Sequence, residues 1–289
     1  MSLPRIVCPH NQHLLRTFSG QSVAVRVDHW EKAAEAANDV CSSGNELFCV
    51  IVDTTAPLDE IVLPDDWKQI PLAIMVPTIG KFRNLTAKLK AWRDFNLRVF
   101  LGCDDASNRA ALRILSSLGI QTCAVFGSGK DDWEALSDLM TYAVLGQLPH
   151  ASIDPFSFIA TNYQPTAWVD WGALYFDDPK HFLHLDDQGR VALSRAARER
   201  GDFVAQSLAE CGAAAELPAI KHRKRTFMQY FLDNHACSFC PGWKLCLGRF
   251  SASVPQDNGC SGFFLEMIDV SRQFKRLNVM PQDKQVWRP

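Results

Sequence analysis

Between about residues 21 and 146, short continuous apolar runs alternate with stretches whose apolar residues recur every three or four positions. The runs are 22–27 (SVAVRV), 47–53 (LFCVIVD), 71–76 (PLAIMV), 97–102 (LRVFLG) and 120–126 (IQTCAVF). They are rich in β-branched and aromatic residues and apolar almost throughout, as strands covered on both faces must be. The helical stretches fall at 29–44, 80–96, 106–119 and 132–147. In the second of these, Phe82, Leu85, Leu89 and Trp92 fall on one face. Gly44 suits the end of the first helix, and Asp131 or Asp132 suits the cap of the last. About five such strand–helix units predict a parallel sheet with helices outside it, either doubly wound or barrel-like.

The pattern changes after about residue 150. Residues 151–182 are rich in aromatics, Pro and Asp and read as irregular. Residues 181–194 alternate on either side of Asp187-Gln188-Gly189, which predicts a hairpin. Helices are expected over 195–216, broken near Gly201, and over 219–234. A closing helix at 261–277 carries Phe264, Met267, Ile268 and Phe274 at core spacing.

Composition changes this picture little. The chain has 289 residues, 47% hydrophobic, and a net charge of −2, which gives no overall attraction for nucleic acid. No apolar run approaches the roughly 20 residues of a membrane span, and the N-terminus lacks a signal-peptide core, so a cytoplasmic protein is expected. No G-x-G-x-x-G follows the first predicted strand. No phosphate-binding G-x4-G-K-[ST], nucleophile elbow or H-E-x2-H is present. No catalytic residue is assigned on these grounds.

Cysteine placement is the anomaly. Six of the ten cysteines stand singly in apolar or helical surroundings and read as small buried hydrophobes. The other four, Cys237, Cys240, Cys246 and Cys260, cluster as C-x2-C-x5-C-x13-C. Two cysteines three apart can turn their thiolates toward one ion around a tight loop, and Pro241, Gly242, Gly248 and Gly259 supply turn chemistry. Four thiolates suit tetrahedral zinc or a 4Fe–4S cluster, and spacing alone leaves both open.

This arrangement resembles the SPASM region, the C-terminal cluster-binding domain of peptide-modifying radical SAM enzymes. That family carries a cysteine before and another after a glycine turn, then C-x2-C-x5-C-x3-C, then a final cysteine. Here Gly189 matches the turn, but Ser194 and Phe250 stand where cysteines are expected, and none lies at 173–179. The ligands of the family's first auxiliary cluster are thus missing. Those of the second, Cys237, Cys240, Cys246 and Cys260, are all present. The C-x3-C-x2-C that holds the SAM-cleaving cluster is absent too; Cys8, Cys41 and Cys49 have the wrong spacing. The resemblance covers about 181–265, and more weakly the units before it.

It implies an α/β fold with a partial (β/α) barrel of about five to six units over 1–150. An irregular connection would follow at 151–180, and a small α+β SPASM-like metal domain at 181–289. It implies one 4Fe–4S cluster on the four cysteines, no SAM and no SAM cleavage. It also implies an accessory role beside a radical SAM enzyme, its precursor peptide, or both, in maturing a peptide or peptide-derived cofactor. A zinc-folded adaptor, or a barrel-type enzyme using Asp53 and Asp104 with a structural metal, are the rival readings. Neither nucleic acid nor membrane is expected as partner.

Lesser candidates have plainer readings beside them. The run 221–225 (KHRKR) offers an acidic partner a basic face, and equally a solvated helix surface. Lys244 and Arg249 can offset thiolate charge, and Trp243 and Phe250 can shield a metal or simply pack. Asp53, Cys103, Asp104 and Asp105 fall at predicted strand ends, as general bases or as helix caps. His181 and His184 would face opposite sides of one strand.

Overall fold

The computed structural model describes residues 4–126, 131–211, 228–250 and 259–277. The basic run 221–225 and most of the helix expected at 219–234 lie outside the described residues; 228–232 are helical.

The protein is α/β, built on a nine-stranded sheet. The strands are β1 (Arg5–Pro9), β2 (Ser22–Val27), β3 (Glu46–Asp53), β4 (Leu72–Val76), β5 (Leu97–Gly102), β6 (Gln121–Val125), β7 (Ile153–Asp154), β8 (Phe182–Leu185) and β9 (Val191–Ala192). The helices before β8 are α1 (Gln12–Leu15), α2 (Ala33–Ser42), α3 (Phe82–Trp92), α4 (Ala106–Ser117), α5 (Trp133–Leu145) and α6 (Phe156–Asn162). After the hairpin come α7 (Arg195–Arg200), α8 (Ala236–Phe239), α9 (Trp243–Cys246) and α10 (Cys260–Arg276).

The sheet order is β7-β6-β5-β4-β3-β2-β1-β8-β9, parallel throughout except for the β8–β9 hairpin. Strands β1 to β7 therefore sit in chain order, each beside the one before it. Right-handed crossovers between consecutive neighbours carry every helix to the same face. Side-chain alternation records this. Val23, Val25, Val50, Val52, Ile74 and Leu101 face the helices and pack with Leu85, Leu89, Leu112 and Leu136. Their neighbours Ala24, Cys49, Ile51, Ala73, Phe100 and Cys123 face the other way, together with Val7. In its middle that inner face, which Phe182 of β8 joins, is covered by Phe176, and α7 reaches only its C-terminal edge. Its small residues leave room for those rings. An ion pair is buried near this face, Arg98 to Asp154 at 2.9 Å.

Several boundaries differ from the sequence expectation. β1 is a full member of the sheet although its five residues were not anticipated; Pro4 precedes it and Pro9 ends it, and prolines there read as loop punctuation. The stretch 151–182 is not irregular throughout, since it holds β7, α6 and a 3-10 turn at Gly172–Tyr175. The helix expected over 195–216 stops at Gly201, whose φ of 79° ends it in the left-handed region. The chain then returns to bridge Val191 through Ala205. The hairpin forms as expected around Gly189, with His184 opposite Ala192, and β8 extends the main sheet beside β1.

Candidate metal centre

Cys237 lies in the first turn of α8, where its backbone N–H donates to the His235 ring at 3.2 Å. Cys240 closes that turn, and Trp243 N–H donates to its carbonyl at 3.0 Å. Cys246 ends α9, and Cys260 opens α10. Gly242 is needed between the first two turns because a Cβ there would meet the Phe264 Cβ at 2.6 Å. All four cysteines are free thiols; Cys246 is buried and the others are partly so.

The backbone after Cys246 has an unusual shape. Leu247 (φ 52°) and Gly248 (φ 75°) are both left-handed. The turn folds the chain back so that the Arg249 N–H donates to the Cys246 carbonyl at 3.1 Å. Burial pushes the Cys246 thiol up to about 11, and the backbone N–H groups of Phe250, Gly248 and Arg249 pull against it. The thiols also act on one another. Burial raises Cys237 most, followed by Cys260 and Cys240, and Cys260 raises Cys246 as well. No three of the four sulfurs lie within 4.8 Å of one another.

The loop is docked by its flanks. Trp171 Nε1–H donates to the Leu245 carbonyl at 2.7 Å, and Val169 N–H to the Lys244 carbonyl at 3.0 Å. Lys244 Nζ donates to the Pro165 carbonyl at 2.6 Å. Arg249 pairs with Asp170 at 2.6 Å and lies over the Trp171 ring. Both cations are thus engaged by the 165–171 segment. Phe250 is at the centre of a ring cluster with Phe126, Trp133, Trp171 and Phe264. Trp243 packs on Tyr230 and Phe231.

The strand-end residues separate into different roles. Asp53 pairs with Arg195 at 2.8 Å and lines a cleft. Asp104 is exposed, and Asp105 caps α4 through the Ser107 N–H. The Cys103 thiol is buried and pushed up to about 12. Asp132 caps α5. His181 pairs with Asp178 at 2.7 Å, whereas the buried His184 bonds the Phe176 carbonyl, so the two share no site. Ser194, standing at a cysteine position of the SPASM pattern, caps α7 by accepting from Ala197 N–H at 3.0 Å.

Two groups were not anticipated. His10, Glu35 and Asp39 place ligand atoms within 4.8 Å of one another, but His10 and Gln12 already satisfy the Asp39 carboxylate. Arg26 faces inward near the end of β2, where an arginine inside a six-residue apolar run was its only sequence signal. Among the described residues, no helix is long and apolar enough to cross a membrane. Comparison with protein-family models, curated proteins and solved structures returns no match to this chain.

Proposed function

We propose that the chain is an iron–sulfur protein that does not cleave SAM and serves as an accessory to a radical SAM enzyme acting on a peptide. In this reading β1 to β7 and their helices form a partial (β/α) barrel, and the segment around α8 to α10 is its SPASM-like domain. The strand order supports the first part. The observation that carries the second is the cysteine loop. Four free thiols gather there, the charges of Cys240 and Cys260 act on Cys237, and that of Cys260 acts on the buried Cys246. Cys237, Cys240, Cys246 and Cys260 would hold a 4Fe–4S cluster.

Such a cluster supplies one-electron chemistry, and hydrogen bonds to its thiolates raise its potential. Four thiolates leave no iron open, so the protein's own part is to hold, shield and dock. The amides after Cys246 stabilise its thiolate. Trp133, Phe250 and Phe264 exclude water on the inner side. The exposed Phe239, beside Cys240, offers an apolar contact to a partner enzyme or peptide.

Anaerobic purification with metal and sulfide analysis tests this. About four irons per chain with equal sulfide, and a brown colour lost in Cys246→Ser, is the expected result. Colourless protein with about one zinc per chain overturns it.

A further inference from the structure

The C-terminal edge of the sheet carries a second site. Inner-face positions near the strand ends hold Arg26 on β2, Asp53 on β3, Met75 on β4 and His184 on β8. Deeper in, the same face is apolar, with Val7, Ile51 and Phe100. Helix α7 roofs this edge, and Arg195 spans it to pair with Asp53. Between roof and floor is a cavity of ≈ 280 Å³. Arg26 lines both this cavity and a hollow of ≈ 400 Å³ beside it.

Most charges here are matched. Arg195 is held by Asp53 and Glu199, Lys32 by Asp28, and Arg198 has Glu199 at 3.7 Å. Arg26 is different. Its Nη2 is buried with no hydrogen-bond partner, and no carboxylate among the described residues lies within ion-pair distance. His184 has a second unmet group. It is 2% exposed, and its Nε2–H donates to the Phe176 carbonyl at 2.8 Å, so Nδ1 is a bare acceptor. That atom also has no partner. Arg26 as a whole is part-buried, but a buried guanidinium nitrogen left without a partner is costly, and the cost is met when an anion arrives.

The geometry points to a ligand class: we propose that this cleft binds a small carboxylic acid with an apolar body. The carboxylate pairs with Arg26, and the body lies on Ile51, Met75 and Phe100. A guanidinium fork matches carboxylate and phosphate alike. The apolar floor separates them, since inorganic phosphate has nothing to lay on it. The cavity is at the lower end of ligand pockets, about 300 Å³, which fits a molecule of amino-acid size rather than a nucleotide. The site stands apart from the cysteine loop and requires no metal there.

Calorimetric titration of the purified full chain with 3-phenylpropanoate tests the proposal. Saturable one-to-one binding is expected. The neutral isostere 3-phenylpropan-1-ol and inorganic phosphate should each bind at least about tenfold more weakly, the loss expected for one charged hydrogen-bonded pair. Arg26→Gln should weaken 3-phenylpropanoate by at least about the same factor while its circular dichroism stays unchanged. The isostere comparison needs no variant, so it stands even if Arg26→Gln fails to fold. No saturable binding at millimolar acid, phosphate binding as well as the organic acid, or equal binding by the alcohol each overturns the proposal. So does a folded Arg26→Gln that binds like the parent.

Discussion

Phe250 is 4% exposed and is enclosed by rings from four other segments. It stacks on Phe126 at 5.7 Å with planes 1° apart and meets Trp133 edge-on at 5.4 Å. Phe264 lies at 5.5 Å and Trp171 at 6.5 Å. Replacement by alanine removes a buried aromatic, at a cost of about 3–5 kcal/mol. The upper part of that range applies, because each neighbouring ring is fixed by its own element and cannot move in to fill the hole. Lost ring–ring contacts, about 0.5–1.5 kcal/mol per pair, add in the same direction. We expect a loss of about 5 kcal/mol from urea unfolding. The proper control is Phe239→Ala, which removes the same side chain at 72% exposure. It should change stability by no more than about 0.5 kcal/mol. Metal content measured alongside should fall in Phe250→Ala, because the ring anchors the turn that follows Cys246. A loss below about 1 kcal/mol, or one equal to the Phe239 control, refutes the account of how the loop is held.

His184 gives a pH test: burial lowers its pKa from 6.5 to about 4. Between those values the unfolded chain takes the proton and the folded chain does not. Its contribution, on the order of 3 kcal/mol, is therefore complete above the unfolded value and lost as pH falls toward the folded one. His184→Gln, which keeps an N–H for the Phe176 carbonyl, should flatten that acid limb of a urea-derived stability profile; an unchanged limb refutes the assignment. Thiol reactivity gives another. Cys8, Cys49, Cys103 and Cys123 are buried with thiols pushed up, whereas Cys41 is exposed. Alkylation read by mass spectrometry should label Cys41 first, and Cys237, Cys240 and Cys260 only after chelation. Labelling of the four buried thiols in folded protein, or no effect of chelator, counts against the reading.

The helices and most strands were legible because each repeats one period long enough to show. The stripe from Phe82 to Trp92 became α3, and the runs at 47–53 and 97–102 became β3 and β5. β1 and β7 were not, for a physical reason. Pro4 and Pro9 bracket β1 and read as loop, the two residues of β7 are too few to carry a period, and both are strands because neighbours pair with them. The four cysteines stood out as a group by spacing alone. The cleft did not, because Arg26, Asp53 and His184 come from three strands that only the sheet order brings together. The strand alternation that turns Arg26 inward was present in the chain, but a run apolar on both faces hides which face is which.

Both sites depend on one short segment. Val169 and Trp171 hold the backbone of the cysteine loop, and Asp170 holds Arg249. A few residues on, Tyr175 and Phe176 line the cleft, and Asp177 accepts the backbone N–H of Arg195. The Trp171 and Tyr175 rings touch at 5.6 Å. Ser194 and Phe250, two of the positions where the SPASM pattern expects cysteine, fall beside these elements. Ser194 spends its hydroxyl on capping α7, the helix that roofs the cleft with Arg195. Phe250 fills the ring cluster under the cysteine loop. A thiol at either position would be a weaker cap or a smaller core group. Each side chain thus has a structural task of its own, Ser194 as a cap and Phe250 as a core ring.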